Sequence, residues 1–321
     1  MAVATPHQQN CESITLPGAD GSSLFARWWR AEPAIGSVLY LHGIQSHGGW
    51  YEASAERIAR SGFAVLMPDR RGSGRNTQDR GHTPSASRLL DDVIGHVDAL
   101  AARVPDRPIH LLGVSWGGKL ALAAYRRIPE RIASLTLITP GLFPSVDLTI
   151  AQKVRVVLGR LFGRRVRHKI PLSDPALFTS NPLRRDFIAS DPHRLTHASA
   201  SLLLASRRLD LDVRRAARPG VACPIHLFLA GRDRIIDNRA TRQFVYDLPA
   251  PERFITAFSD ADHSLEFQAD PEPYFEALIA WLTRAQAHTS VKNDADGASP
   301  ALAATVRPVE TEQLISSGGR E

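Results

Sequence analysis

A chain of 321 residues, 43% of them hydrophobic, is long enough for one large core and an insertion. No run approaches the roughly 18 uninterrupted apolar residues of a membrane span. Met1 to Asn10 lack the basic-then-apolar order of a secretion signal, so a cytoplasmic protein is expected. Cys11 and Cys223, the only two cysteines, stand far apart and outside any CxxC or metal-like spacing, which argues against disulfides and structural zinc. The net charge of +6 is local: Pro144 to Arg215 holds 14 Lys+Arg against six acids, a surplus of +8, and the rest is nearly neutral.

In chain order, Ser13–Trp29, broken by Gly18-Ala-Asp-Gly21, reads as an antiparallel hairpin at a sheet edge. Short apolar runs follow at Ser37–Leu41, Phe63–Met67, Ile109–Val114, Ala133–Ile138, Ile225–Leu229 and Phe254–Phe258. Apolar on both faces, they fit strands of a parallel sheet buried between helix layers. Leu89, Leu90, Val93, Ile94, Val97 and Leu100 recur at helical spacing, as do Tyr274, Phe275, Leu278, Trp281 and Leu282. The fold class is therefore α/β, with a mostly parallel central sheet flanked by helices.

After Pro140-Gly141 the alternation lapses for about 75 residues, too long for a plain connection, so an insertion is expected there. Beyond Gln286 the composition turns to Ala, Ser, Gly, Asp and Thr without period. The expected organisation is a flexible N-terminus over 1–12, a core over 13–142 and 221–285, an insertion over 143–220 and a disordered tail over 286–321.

Gly113-Val114-Ser115-Trp116-Gly117 matches G-x-S-x-G, directly after one apolar run and before the helix-like Lys119–Arg127. A serine raised on such a strand-to-helix turn sits in strained backbone, and glycines two positions either side avoid collision with the neighbouring strand and helix. A serine hydroxyl is a weak nucleophile near neutral pH, so a base and an orienting acid should follow in the order Ser, Asp, His. Asp233 lies just past a strand end in Ala230-Gly231-Arg232-Asp233, ahead of its competitors Asp237, Asp260 and Asp262. His263 follows the last strand. The expected catalytic set is Ser115, Asp233 and His263. The oxyanion hole would use the backbone N–H groups of Trp116 and Ile44, with Gly43 letting the loop Leu41-His42-Gly43-Ile44 approach the substrate. His42 and His47 read as structural hydrogen-bonding residues of that loop.

With these pieces the chain resembles the monoacylglycerol lipase and lysophospholipase group of α/β-hydrolases, close to serine aminopeptidase-type members, over roughly Ser13 to Arg284. His42-Gly43 with His47 and Tyr51, Pro68-Asp69-Arg70-Arg71-Gly72-Ser73-Gly74, Gly113–Gly117, Asp233 and His263 carry the resemblance. It implies the α/β-hydrolase fold, a helical cap over 143–220 and cleavage of a carboxylic ester through an acyl-enzyme, with no cofactor and no metal. Ser46, Trp50 and Glu266 stand where monoacylglycerol lipases carry a glutamate, an arginine and a second histidine toward glycerol, so ester cleavage is implied and glycerol recognition is not.

Thioesterase, acyltransferase, amide hydrolase and C–C bond hydrolase activities reuse the same triad and stay open, as does, outside catalysis, a small-molecule binder. In the insertion, Ile150, Val154, Val157, Leu158, Leu161 and Phe162 share one helical face and predict an apolar tunnel wall with a basic rim. That rim is read first as a solvated arginine-rich face, and second as a transient contact with anionic lipid or an acidic substrate. Nucleic acid is not an expected partner, because the basic segment lacks an interleaved stacking platform.

Overall fold

The computed structural model describes residues 11–159, 166–215, 221–296 and 309–315. Strands β1 (Cys11–Pro17) and β2 (Ser23–Trp29) form the antiparallel hairpin, in register from Cys11↔Trp29 to Pro17↔Ser23. Next come β3 (Gly36–Leu41), α1 (Glu52–Arg60), β4 (Phe63–Pro68), α2 (Ala86–Arg103), β5 (Ile109–Val114), α3 (Trp116–Tyr125) and β6 (Ser134–Ile138). The chain then forms α4 (Ile150–Gly159), β7 (Arg167–Lys169), α5 (Pro182–Ser190), β8 (His197–Ser199) and α6 (Ala200–Arg215). It returns as β9 (Ile225–Ala230), α7 (Asn238–Tyr246), β10 (Glu252–Phe258), α8 (Glu272–Asp296) and β11 (Val309–Ile315).

The main sheet runs β1-β2-β4-β3-β5-β6-β9-β10-β11 and is parallel from β4 to β11. Strands β3 to β6 and β9 are buried along their whole length, which is why they read as unbroken apolar runs. From β3 the chain winds to β4 on one side and to β5 on the other. Loops at the carboxyl ends of β3 and β5 therefore flank the point where the winding of the sheet reverses.

Among the described residues the segment between β6 and β9 contains three α-helices and also a two-stranded antiparallel ladder, β7 with β8, so it is not purely helical. It lies against the loops at the carboxyl ends of the sheet, where Leu195 N–H donates to Gln45 O (2.9 Å) and Ser199 N–H to Gly81 O (2.8 Å). The apolar face expected to wall a tunnel instead faces solvent: Ile150 is 82%, Val154 51%, Val157 59% and Leu158 50% exposed, and only Val156 of α4's larger apolar side chains is buried. Leu161 and Phe162 fall outside the described residues.

The C-terminal stretch also departs from expectation. Instead of a tail beginning at Gln286, α8 continues to Asp296, and β11 pairs in parallel with β10 from Glu252↔Val309 to Phe258↔Ile315. Composition hid both, because β11 reads Val-Glu-Thr-Glu-Gln-Leu-Ile with few apolar residues, as an edge strand can. At the other end Cys11 and Glu12 already belong to β1, while residues 1–10 and 297–308 lie outside the described residues.

Candidate active site

Ser115 stands between β5 and α3 with φ 52° and ψ −123°, a conformation rarely tolerated by a side-chain-bearing residue. The turn is held by Ser115 N–H to Ile138 O (2.9 Å) and by Gly118 and Gly141 N–H groups to Ser115 O (2.9 and 2.7 Å). The flanking glycines are sterically required. A Cβ on Gly113 would lie 2.5 Å from Gly117 O, and one on Gly117 would run into the carbonyl oxygens of Leu41 and His42.

The Ser115 hydroxyl lies 2.9 Å from His263 Nε2, and His263 Nδ1 lies 2.7 Å from Asp233 Oδ2. Asp233 Oδ1 accepts the Ile235 and Ile236 N–H groups at 2.8 and 3.0 Å, which fixes the carboxylate independently of the imidazole on Oδ2. Three side chains from three strand ends thus form one hydrogen-bonded line. Ser115 is 9% exposed, His263 2%, and the Asp233 side chain is fully buried. Phe178, from the insertion, meets the His263 ring edge-on at 6.0 Å.

The three competing aspartates are occupied elsewhere. Asp237 caps α7 by accepting from Ala240 N–H (3.0 Å), Asp260 pairs with Arg232 (2.8 Å), and Asp262 accepts from Ser180 N–H (2.6 Å).

The loop after β3 comes close to the serine. A Cβ on Gly43 would lie 3.4 Å from Ser115 Cβ and 3.0 Å from Ser46 Oγ. Among the described residues neither the Ile44 nor the Trp116 N–H has a hydrogen-bond acceptor, so both remain available beside the hydroxyl. His42 is structural: Nε2 accepts from Arg70 N–H (2.8 Å), which leaves Nδ1–H to donate to Gly43 O (2.8 Å). Burial lowers its pKa to about 3 and keeps the ring neutral.

Arg70, in the Pro68–Gly74 stretch at the end of β4, holds this loop. Its Nη1 and Nη2 donate to Gly43 O (3.0 Å) and Ile44 O (2.9 Å), and its guanidinium lies 4.7 Å over the Trp116 ring. Burial pulls its pKa down to about 10, still far above neutrality. Asp69 ties the same loop to the sheet, accepting from Gly48 N–H (2.8 Å), Arg75 N–H (2.8 Å) and Arg27 (3.0 Å). Burial alone would raise the Asp69 pKa, but Arg27 and these N–H donors hold it below the usual value.

Two more residues escaped sequence reasoning. Asp191, from the insertion, accepts from His47 Nε2 (3.0 Å) and Trp50 Nε1 (2.7 Å), while His47 Nδ1 accepts from Gly49 N–H (3.0 Å). Ser206 of α6 accepts from the Trp116 indole N–H at 2.8 Å. No local motif marks either, because each partner is distant in sequence. Glu266 sits buried three residues beyond His263 and takes both Ser54 N–H (3.2 Å) and the Ser54 hydroxyl. Burial pushes its pKa up to about 7 despite those donors.

A mostly parallel sheet wound to both sides of β3, with a serine at the elbow between β5 and α3, is the architecture of the α/β-hydrolases. A model of the serine aminopeptidase, S33 family matches residues 32–270, most of the chain, and the chain belongs to that family. Phospholipase YtpA of Bacillus subtilis is 34% identical over 263 residues, covering 79% of this chain and 97% of its own. Monoglyceride lipase of Rattus norvegicus is 25% identical over 254 residues, covering 78% and 82%. The fold is also that of a soluble variant of monoglyceride lipase from Saccharomyces cerevisiae, solved with a substrate analogue: TM-score 0.76 at 19% identity, over 89% of this chain and 99% of that one. The protein is thus a monoacylglycerol lipase-like α/β-hydrolase. Among the described residues no helix is long and apolar enough to cross a membrane.

Proposed function

We propose that this protein is a serine hydrolase that cleaves a carboxylic ester of an acyl lipid or related small molecule through an acyl-enzyme on Ser115. The observation that carries the reading is the unbroken line from the Ser115 hydroxyl through His263 to Asp233, at 2.9 and 2.7 Å, with the Ile44 and Trp116 backbone N–H groups unengaged among the described residues. The monoglyceride lipase and phospholipase relatives support an ester over an amide or thioester.

In this mechanism His263 Nε2 takes the Ser115 proton as Oγ bonds to the ester carbonyl carbon. The Ile44 and Trp116 N–H groups receive the resulting oxyanion. Asp233 stabilises the imidazolium and does not take its proton. The C–O bond to the alcohol breaks as His263 returns the proton to the leaving oxygen. Water, deprotonated by His263, then attacks the acyl carbon, releases the acid and regenerates the Ser115 hydroxyl. These steps call on no metal or organic cofactor.

The leaving group need not be glycerol. Ser46 accepts from the Tyr51 hydroxyl (3.1 Å), Trp50 packs among Phe178, Phe187 and Phe267 (ring centroids 5.7, 6.1 and 5.7 Å apart), and Glu266 is buried on Ser54, so all three are engaged inside the protein. We assign the segment between β6 and β9 the role of a cap. Its exposed Ile150, Val154, Val157 and Leu158, with Lys153 and Arg155 on the same helix, support contact with an anionic lipid surface.

The test is labelling with a fluorophosphonate probe and turnover of p-nitrophenyl esters from acetate to palmitate, comparing wild type with Ser115→Ala. Labelling and hydrolysis present in wild type and lost in the variant support the mechanism. A wild type that neither labels nor turns over returns the protein to the small-molecule-binder reading.

A further inference from the structure

Trp116 Nε1 donates to Ser206 of α6, and its ring carries the Arg70 guanidinium at 4.7 Å. That guanidinium in turn grips the carbonyls of Gly43 and Ile44. We infer that Arg70 is a positioning residue for the oxyanion hole, and that through Trp116 and Ser206 it couples the hole to the segment between β6 and β9. The inference rests on the Ser115 mechanism proposed above.

Gly43 C=O and Ile44 N–H belong to one planar trans peptide unit and point in opposite directions. Gly43 O is held from one side by two donors, Arg70 Nη1 at 3.0 Å and His42 Nδ1 at 2.8 Å. Fixing that oxygen fixes the direction of the Ile44 N–H. Donation to the carbonyl also polarises the unit and makes its N–H a stronger donor. The second fork nitrogen, on Ile44 O at 2.9 Å, holds the next peptide. A lysine has a single nitrogen in place of the rigid two-nitrogen fork and would fix the two carbonyls less well.

The cation also rests on the other half of the site. The residue beneath it is Trp116, whose own N–H is the other half of the hole, so one side chain touches both halves. Arg70 is buried, and its Nε–H has no acceptor among the described residues, so these two carbonyls and the ring are the contacts that orient it, with the Asp69 carboxylate adding charge attraction. The indole is in turn oriented by Ser206, which ends the chain of contacts on α6.

The experiment compares wild type, Arg70→Met, Arg70→Lys and Ser206→Ala by kcat, KM and thermal melting. It adds the affinity of a trifluoromethyl ketone, which bonds to Ser115 Oγ, passes the hydroxyl proton to His263 and leaves its oxyanion in the hole. Arg70→Met should lower kcat about 10²-fold with KM within about threefold, and weaken ketone affinity in proportion to kcat. Arg70→Lys should recover a small part of both. Ser206→Ala should lower kcat by about three- to tenfold, again with KM nearly unchanged.

If Arg70→Met and Arg70→Lys keep kcat and ketone affinity within about twofold, or if KM moves and kcat does not, Arg70 only fills space and the inference is overturned. Should Arg70→Met fail to fold, Arg70→Lys and Ser206→Ala decide by the same criteria. A Ser206→Ala enzyme indistinguishable from wild type removes the coupling to α6. Fluorophosphonate labelling of wild type is scored separately: labelling with unaffected Arg70 variants refutes only this inference, whereas absence of labelling refutes the serine mechanism and the inference with it.

Discussion

His47 and Asp191, 144 residues apart in sequence, meet at 3.0 Å, and the Trp50 indole N–H shares the same carboxylate oxygen at 2.7 Å. The loop beside the candidate oxyanion hole is thereby clamped to the segment between β6 and β9.

That clamp predicts a pH-dependent stability. The Asp191 pKa is lowered to about 2 from 3.8: burial opposes ionisation, but the His47 and Trp50 donors outweigh it. A carboxylate with a depressed folded pKa stabilises fully above its unfolded value and loses that contribution as pH falls toward the folded value. Asp191→Ala should cost about 1–3 kcal/mol at pH 6, because it strands two buried donors. Urea unfolding should show the gap to wild type closing between pH 4 and 2; a gap independent of pH would contradict the assignment.

Glu266 has the opposite sign. Its pKa is raised from 4.5 to about 7, so between those values the unfolded chain has lost the proton and the folded protein still binds it. Stability should therefore fall as pH rises through this window. Glu266→Gln, which keeps an acceptor for Ser54, should flatten that slope. Melting temperatures of both proteins from pH 4.5 to 8 provide the check.

At the elbow, Ser115→Gly and Ser115→Ala should both be inactive but differ in stability. Alanine ordinarily stabilises over glycine by limiting the unfolded chain. At φ 52° and ψ −123° the order should reverse, with the glycine variant about 1 kcal/mol more stable because it relieves backbone strain. Thermal or urea melts of the two variants read this directly.

Gly117→Ala tests the closeness of α3 to β3. The added methyl would meet the Leu41 and His42 carbonyl oxygens, both on the path into the candidate oxyanion loop. The expected result is a loss of about 1–3 kcal/mol in stability. A kcat drop of about 10²-fold should accompany it, from displacement of the hole relative to Ser115.

Much of the fold was legible because its signals are local. Strands buried on both faces read as continuous apolar runs, and the hairpin as two runs around Gly18-Ala-Asp-Gly21. Where the signal was weak, the reading failed. β11 and the end of α8 carry little apolar pattern. On α4 the period says that an apolar stripe exists and not which way it points, and the stripe faces solvent. At the site, Ser115, Asp233 and His263 could be singled out because each follows a strand end in a fixed chain order.

The sequence by itself determined the candidates for the chemistry, since a glycine-flanked serine, an aspartate and a histidine after successive buried strands leave few arrangements in a parallel sheet. Only the tertiary structure decided what holds them: Arg70 on Gly43, Ile44 and Trp116, Asp191 on His47 and Trp50, Ser206 on the indole. Such contacts join residues tens to well over a hundred positions apart. Side-chain reach and burial, which select these partners, are properties of packing and leave no period or spacing in the chain.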